Sequence, residues 1–230
     1  MTINDNLLEV LDEIEGARKN SITGEEVELI AVSKMHSVAE IKEAIDAGIT
    51  DIGENKVQEL VGKIDELGNK VKYHMIGNLQ SNKVKYIYDK VELIQSLDRL
   101  SLAEEINKRA AGDNIKVNCL VEVNIADEKS KGGMPIDSVL DFIEECMSFN
   151  NIRLKGLMTV APNTNDERFL RECFRKMFKL KEKVISQNYD NNVVDMKFLS
   201  MGMSQDFKIA IEEGSNMVRI GTNIFGKRNY

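Results

Sequence analysis

Histidine, cysteine, proline and tryptophan are scarce in this sequence, and each shortage closes off a class of function. The two histidines, His36 and His74, form no i, i+4 pair and have no cysteine cluster beside them to complete a shell, which argues against a metal site. The three cysteines, Cys119, Cys146 and Cys173, are odd in number, far apart and without a C-x-x-C pair, which argues against a disulfide framework and for a reducing compartment. Two prolines and no tryptophan in 230 residues, at 42% hydrophobic and 30% charged, fit a soluble globular chain able to bury a full core.

Long apolar runs are missing too: none approaches the roughly 18 residues needed to cross a bilayer. The opening "MTINDNLLEVLDEIEGARKN" reads as an amphipathic helix over 3 to 16, with Asn4 or Asp5 as cap and Leu7, Leu8, Leu11 and Ile14 on one face, and not as a secretory leader. A cytoplasmic protein with no membrane partner is expected. Positive charge is short: 31 basic against 38 acidic residues leave a net charge of -7, which repels nucleic acid. The most basic stretch, "SNKVKYIYDK" at 81 to 90, reads as a solvated helix face. Neither a G-x-S-x-G elbow nor a G-x-G-x-x-G loop after the first apolar run occurs.

What is present is a repeating period, in which short β-branched runs alternate with stretches of i, i+3, i+4 apolar spacing. Strands are predicted at 27–34, 51–55, 72–77, 91–97, 115–125, 152–160, 196–201 and 216–221, with a helical stretch after each of the first seven. Ser37 is a plausible N-cap of the first of these helices, Gly48 its stop, and Pro135 opens the fifth. Eight such units in one α/β chain specify a single (β/α)8 TIM-type barrel, one domain over residues 1–230, with an extra N-terminal helix beneath or beside it.

In such barrels the working face lies at the carboxyl ends of the strands, and phosphate sites favour the loops after strands seven and eight. Those loops are "SMGMS", Ser200 to Ser204, and "RIGT", with Arg219, Gly221 and Thr222. Backbone amides, hydroxyls and glycines of this kind form an anion cradle, although each glycine could also simply end a strand. Arg219 would point into the mouth if Gly221 does, and a buried guanidinium needs a partner, which could be the carboxylate of Glu122, on one face of strand five with Asn124, although Glu122 could equally serve ordinary inter-strand pairing. Lys34 closes strand one at the same mouth. A strand-end lysine can merely snorkel, but one facing a phosphate cradle suits imine formation with a phosphorylated aldehyde such as pyridoxal 5'-phosphate.

"AVSK", "IGEN", "HMIGNLQSNK", "VNIADEKSKGG", "GLMTV", "LSMGMSQDF" and "VRIGTNIFG" together resemble the signature blocks of the pyridoxal phosphate homeostasis proteins, relatives of the alanine racemase barrel domain. The resemblance runs from strand one to the C-terminus. It implies a cofactor held as a Schiff base on Lys34, with Asn55, Ser200, Ser204, Gly221 and Thr222 among its contacts and Arg219 facing the pyridine nitrogen. It implies no catalytic residue and no metal.

An arginine cannot accept a proton, so a ring nitrogen facing it stays unprotonated and the ring is a poor electron sink. Racemases of this fold bring a tyrosine base from a second domain, for which a barrel ending at "FGKRNY" leaves no room. The expectation is therefore a non-catalytic, monomeric carrier of pyridoxal phosphate, with apo enzymes that use the cofactor as acceptors. A weak amino-acid racemase is the alternative. A Schiff-base aldolase is a third reading, in which Lys155 falls too early in strand six to serve. Lys83 and Lys131 are the other lysines that could carry an aldehyde.

Overall fold

The computed structural model describes residues 2–128 and 131–226, so Lys129, Ser130 and the last four residues of "FGKRNY" lie outside the described residues. Among the described residues there are nine strands: β1 (Glu28–Val32), β2 (Asp51–Glu54), β3 (Lys72–Met75), β4 (Leu93–Leu97), β5 (Val117–Asn124), β6 (Met134–Pro135), β7 (Ile152–Met158), β8 (Val194–Met203) and β9 (Met217–Ile220). Eight of them pair in parallel in the order β4-β3-β2-β1-β9-β8-β7-β5, and a β4–β5 pairing closes the ring. The short β6 adds to β5 outside that ring. The (β/α)8 barrel read from the alternating period is the fold, and all eight predicted strands are found within it.

The helices are α1 (Ile3–Arg18), α2 (Val38–Asp46), α3 (Val57–Leu67), α4 (Leu100–Gly112), α5 (Val139–Cys146), α6 (Glu167–Ile185), α7 (Phe207–Glu212) and α8 (Thr222–Phe225). Ser37 caps α2 in a reciprocal box with Glu40, as its sequence position suggests. The cap of α1 is Thr2, paired with Asp5. That helix buries Ile3, Leu7, Val10, Ile14 and Ala17, while Leu8 and Leu11 face outward, because 100° per residue carries them off the buried stripe. It packs beside the barrel against α2, α7 and α8, filling the outer ring where α8 is only one turn long.

Two expected helices differ. After β3 there is a 3₁₀ turn, Ser81–Tyr86, because the buried residues Leu79, Val84 and Ile87 are spaced five and three apart and do not trace an α-helical stripe. Lys83 and Lys85 lie over the Tyr86 ring there, 5.7 and 5.0 Å from its centroid. Pro135 ends β6 and precedes another 3₁₀ turn, Ile136–Ser138, so α5 begins four residues later than expected.

Inward and outward faces alternate along each strand. Ile30, Leu93, Leu120, Met158 and Met217 fill the middle of the barrel, and the larger core lies between strands and helices. Gly156 shows what closure demands: it sits at φ 150° beside a register shift of β7 on β8, and a Cβ there would fall 1.9 Å from the Phe198 carbonyl oxygen.

On the outer face a buried ion pair ties β2 to α3. Glu54 is fully buried, bonded to the Lys63 ammonium, and accepts the Ser33 hydroxyl at 2.5 Å. Burial holds the Glu54 carboxyl above its usual range despite the bonds from Lys63 and Ser33. Lys63→Met therefore strands a carboxylate and should cost about 3–5 kcal/mol in urea unfolding at pH 7.5. The loss should shrink at lower pH, where Glu54 takes up a proton, and pairing the change with Glu54→Gln should restore most of it. A single variant within about 0.5 kcal/mol of the parent would show that no carboxylate is left stranded.

Candidate functional site

The site is built from the turn that follows β1. The strand ends at Val32, two residues before the expected boundary, because the Ser33 carbonyl leaves the ladder to accept the amide of His36 (3.0 Å) and the Lys63 ammonium (2.7 Å). Met35 takes φ 65° and donates its amide to Glu59 at 3.0 Å, and the His36 ring stacks on Phe225 at 4.6 Å. Held on these sides, the turn presents the half-buried Lys34 to a cleft of about 670 Å³ at the carboxyl ends of the strands.

The same cleft is lined by Arg219, Ser204, Gly221, Thr222 and Lys131. Its volume lies in the range of small-ligand sites. Two loops are laced together to form one wall. Gly202, at φ 97°, lets β8 turn tightly over α7, since a Cβ there would lie 2.7 Å from Ala210 Cβ and 2.8 Å from Phe207 Cα. Beyond it the Ser204 hydroxyl accepts the Gly221 amide (3.3 Å), Asn223 Nδ2 donates to the Ser204 carbonyl (3.2 Å), and Asp206 accepts the Met203 amide (2.6 Å). Gly221 runs close to β1, where a Cβ would meet the Val32 carbonyl at 3.2 Å.

Arg219 forms the floor. It is buried, donating to Ser200 Oγ (2.7 Å) and to the Thr159 carbonyl (2.8 Å). Its expected carboxylate partner on β5 is not hydrogen-bonded to it: Glu122 acts on it through charge alone, and the Asn124 amide closes its own loop against Glu128. Burial lowers the Arg219 pKa to about 10, against the pull of Glu122 and Asp206, so the guanidinium stays charged at neutral pH.

The chain is similar to known proteins along nearly its whole length. The alanine racemase N-terminal domain family matches residues 13–229. A pyridoxal phosphate homeostasis protein of Aquifex aeolicus is 40% identical over 232 residues, covering all of both chains, and one of Pasteurella multocida is 38% identical over 234 residues, covering 100% of this chain and 99% of that one. This chain belongs to the pyridoxal phosphate homeostasis protein family. Among solved structures, PipY of Synechococcus elongatus with pyridoxal phosphate bound superposes with a TM-score of 0.86 at 28% identity, over 98% of this chain and 100% of that one.

In this homeostasis-family barrel the residues singled out in the sequence do not all line one surface. Lys34, Ser204, Arg219, Gly221 and Thr222 line the cleft together. Ser200 lies beneath it, fully buried, its hydroxyl given to Gln95 Oε1 at 2.7 Å. Asn55 follows β2 outside the cleft lining, and its Oδ1 is buried with no partner among the described residues. Lys131 reaches the cleft with its ammonium on the Ala161 carbonyl (2.8 Å) and Glu128 (3.2 Å), a placement that its loop after β5 could have suggested. Asp206 and Gln95 had no sequence signal, since nothing local distinguishes them. Lys155 pairs with Asp195 at the other end of the barrel, away from the cleft, which removes the lysine considered for an aldolase.

Glu122 generates a pH effect. Burial pushes its carboxyl up to about 7, Asp98 adds to the rise and Arg219 opposes it. The native state then holds a proton that the unfolded chain releases, so the stability this group contributes below pH 4.5 is lost as pH rises through about 7. Glu122→Gln should match the parent at low pH and exceed it above pH 7 by on the order of 3 kcal/mol. Urea unfolding at pH 5 and pH 8 measures this, and parallel pH dependences in the two proteins would contradict it.

Proposed function

We propose that this chain is a non-catalytic protein of intracellular pyridoxal 5'-phosphate homeostasis that holds the cofactor as a Schiff base on Lys34. The observation that carries the reading is the meeting of Lys34, Arg219 and the Ser204 and Gly221–Thr222 loops in one cleft. The donor set suits the ligand. The Lys34 amine condenses with the aldehyde, and water leaves. Thr222 and Ser204 offer hydroxyls at a glycine-made close approach, which suits the phosphate. Arg219 offers only donors, which suits an unprotonated ring nitrogen.

Ser200 takes a different part from the one its loop position suggests. With its hydroxyl committed to Gln95 and accepting from Arg219, it supports the guanidinium, and the phosphate contact falls to Ser204 and Thr222. Asn55, with its orphaned buried oxygen, is an acceptor beside the mouth of β2. The protein acts as a monomer in the cytoplasm and yields the cofactor to apo enzymes. A weak racemase remains the second reading, favoured by the match to the alanine racemase N-terminal domain. It requires an acid or base opposite Lys34.

The purified protein should take up pyridoxal phosphate with a yellow band that borohydride abolishes. Lys34→Ala should lose the band with an unchanged circular dichroism spectrum, and a variant that stays yellow would move the aldehyde to Lys131. Ser204→Ala or Thr222→Ala should each weaken retention about tenfold, as expected for a hydrogen bond to a charged acceptor. Equal affinities would take both residues out of the phosphate site. The loaded protein should activate an apo-transaminase while racemising amino acids negligibly. Turnover on the order of 1 s⁻¹ or faster would overturn the carrier reading.

A further inference from the structure

A single file of hydrogen bonds runs through the barrel interior from the cleft floor to the opposite end. Arg219 Nη1 donates to Ser200 Oγ (2.7 Å), Ser200 Oγ to Gln95 Oε1 (2.7 Å), Gln95 Nε2 to His74 Nδ1 (3.2 Å), and His74 Nε2 to Asp51 Oδ1 (2.9 Å). All five residues are buried. Asp51 and His74 line a separate cavity of about 200 Å³ at the amino ends of the strands, so the file joins the two ends of the barrel.

Its direction is dictated by its ends. A guanidinium can only donate and an ionised carboxylate can only accept. Burial alone would raise the Asp51 pKa, but bonds from His74 and Thr50 overturn that and leave it below its ordinary value, so Asp51 is ionised. Arg219 therefore turns the Ser200 proton toward Gln95, the amide oxygen must face Ser200, and the amide nitrogen must face His74. The imidazole proton is left on Nε2, for Asp51. A flipped Gln95 amide would put its oxygen against His74 Nδ1 and also against the Met217 sulfur, which now accepts Nε2 at 3.3 Å. Each adaptable member has one orientation that satisfies every bond.

The Thr159 carbonyl and the Ser200 hydroxyl together pin both terminal nitrogens of Arg219. Two carboxylates, Glu122 and Asp206, pull on the same guanidinium through charge. Without the Ser200 anchor it would swing toward one of them and lose its orientation at the cleft floor.

We propose that Gln95, backed by His74 and Asp51, is a positioning residue for the cofactor ring: it locks the Ser200 hydroxyl and, through it, the rotation of Arg219. This rests on the reading that the cleft holds pyridoxal phosphate with its ring nitrogen toward Arg219. Two measurements test it. In the cofactor-free protein, ¹H–¹⁵N spectra of its two histidines should place the His74 proton on Nε2, and a proton on Nδ1 overturns the file whatever the cleft binds. In titrations with pyridoxal phosphate, Gln95→Leu and Ser200→Ala should each weaken retention about tenfold and shift the visible band, and the double variant should lose no more than either single one. An unchanged affinity and band in Gln95→Leu overturns the positioning role. Should Gln95→Leu fail to fold, the His74 proton and the Ser200→Ala titration decide. A parent protein that takes up no cofactor overturns the proposed function and the ligand named here, while the position of the His74 proton still decides the file.

Discussion

Burying one guanidinium inside a closed barrel is the constraint around which the rest is arranged. Arg219 has lost its water, and a desolvated charge is tolerated only where donors meet acceptors and opposite charge stands near. The barrel meets the first demand with Ser200 and the Thr159 carbonyl, and the second with Asp206, Glu122 adding charge only as it ionises near pH 7. Each solution creates a further demand, since Ser200 then needs an acceptor and Gln95 a partner for its amide. The polar file through the barrel interior is the result, ending at Asp51 where the barrel meets the lower cavity.

The opposite side of the cleft is organised from outside the barrel. Lys34 owes its place to a turn whose carbonyl is taken by Lys63 and whose hydroxyl is taken by Glu54, both lying between the strands and α3. A buried pair of this kind contributes little net stability but fixes geometry, because the wrong arrangement leaves a charge without a partner. The cleft is thus held from two directions: from within through Arg219, and from behind through Glu54 and Lys63. Between them Gly202 and Gly221 bring the two loops close enough for Ser204 to accept the Gly221 amide.

Family membership and geometry bear on different questions here. The match to pyridoxal phosphate homeostasis proteins accounts for the chain as a whole. The side-chain contacts distinguish residues that a signature block treats alike: Ser200 and Ser204 stand in the same five-residue motif, yet one supports the floor and the other lines the wall.

By itself the sequence determined the barrel, its eight strands and the end of it that carries the polar loops, because hydrophobic period, caps and glycine stops are local and each strand must bury alternate faces. Lys34, Arg219 and the two glycine loops were legible for the same reason: all fall at strand ends, where topology alone assigns the face. Tertiary structure decided the rest. Whether strand one ended at Lys34 or in a turn at Ser33 depended on Lys63, thirty residues away, and whether Ser200 faced phosphate or arginine depended on Gln95 across the barrel. The partners of Arg219 could not be read from β5 alone, since a guanidinium takes whatever acceptors the closed ring brings near, and those were the Ser200 hydroxyl and the Thr159 carbonyl. Hydrogen bonds across a barrel join residues with no fixed spacing in the chain, so no period in the sequence records them.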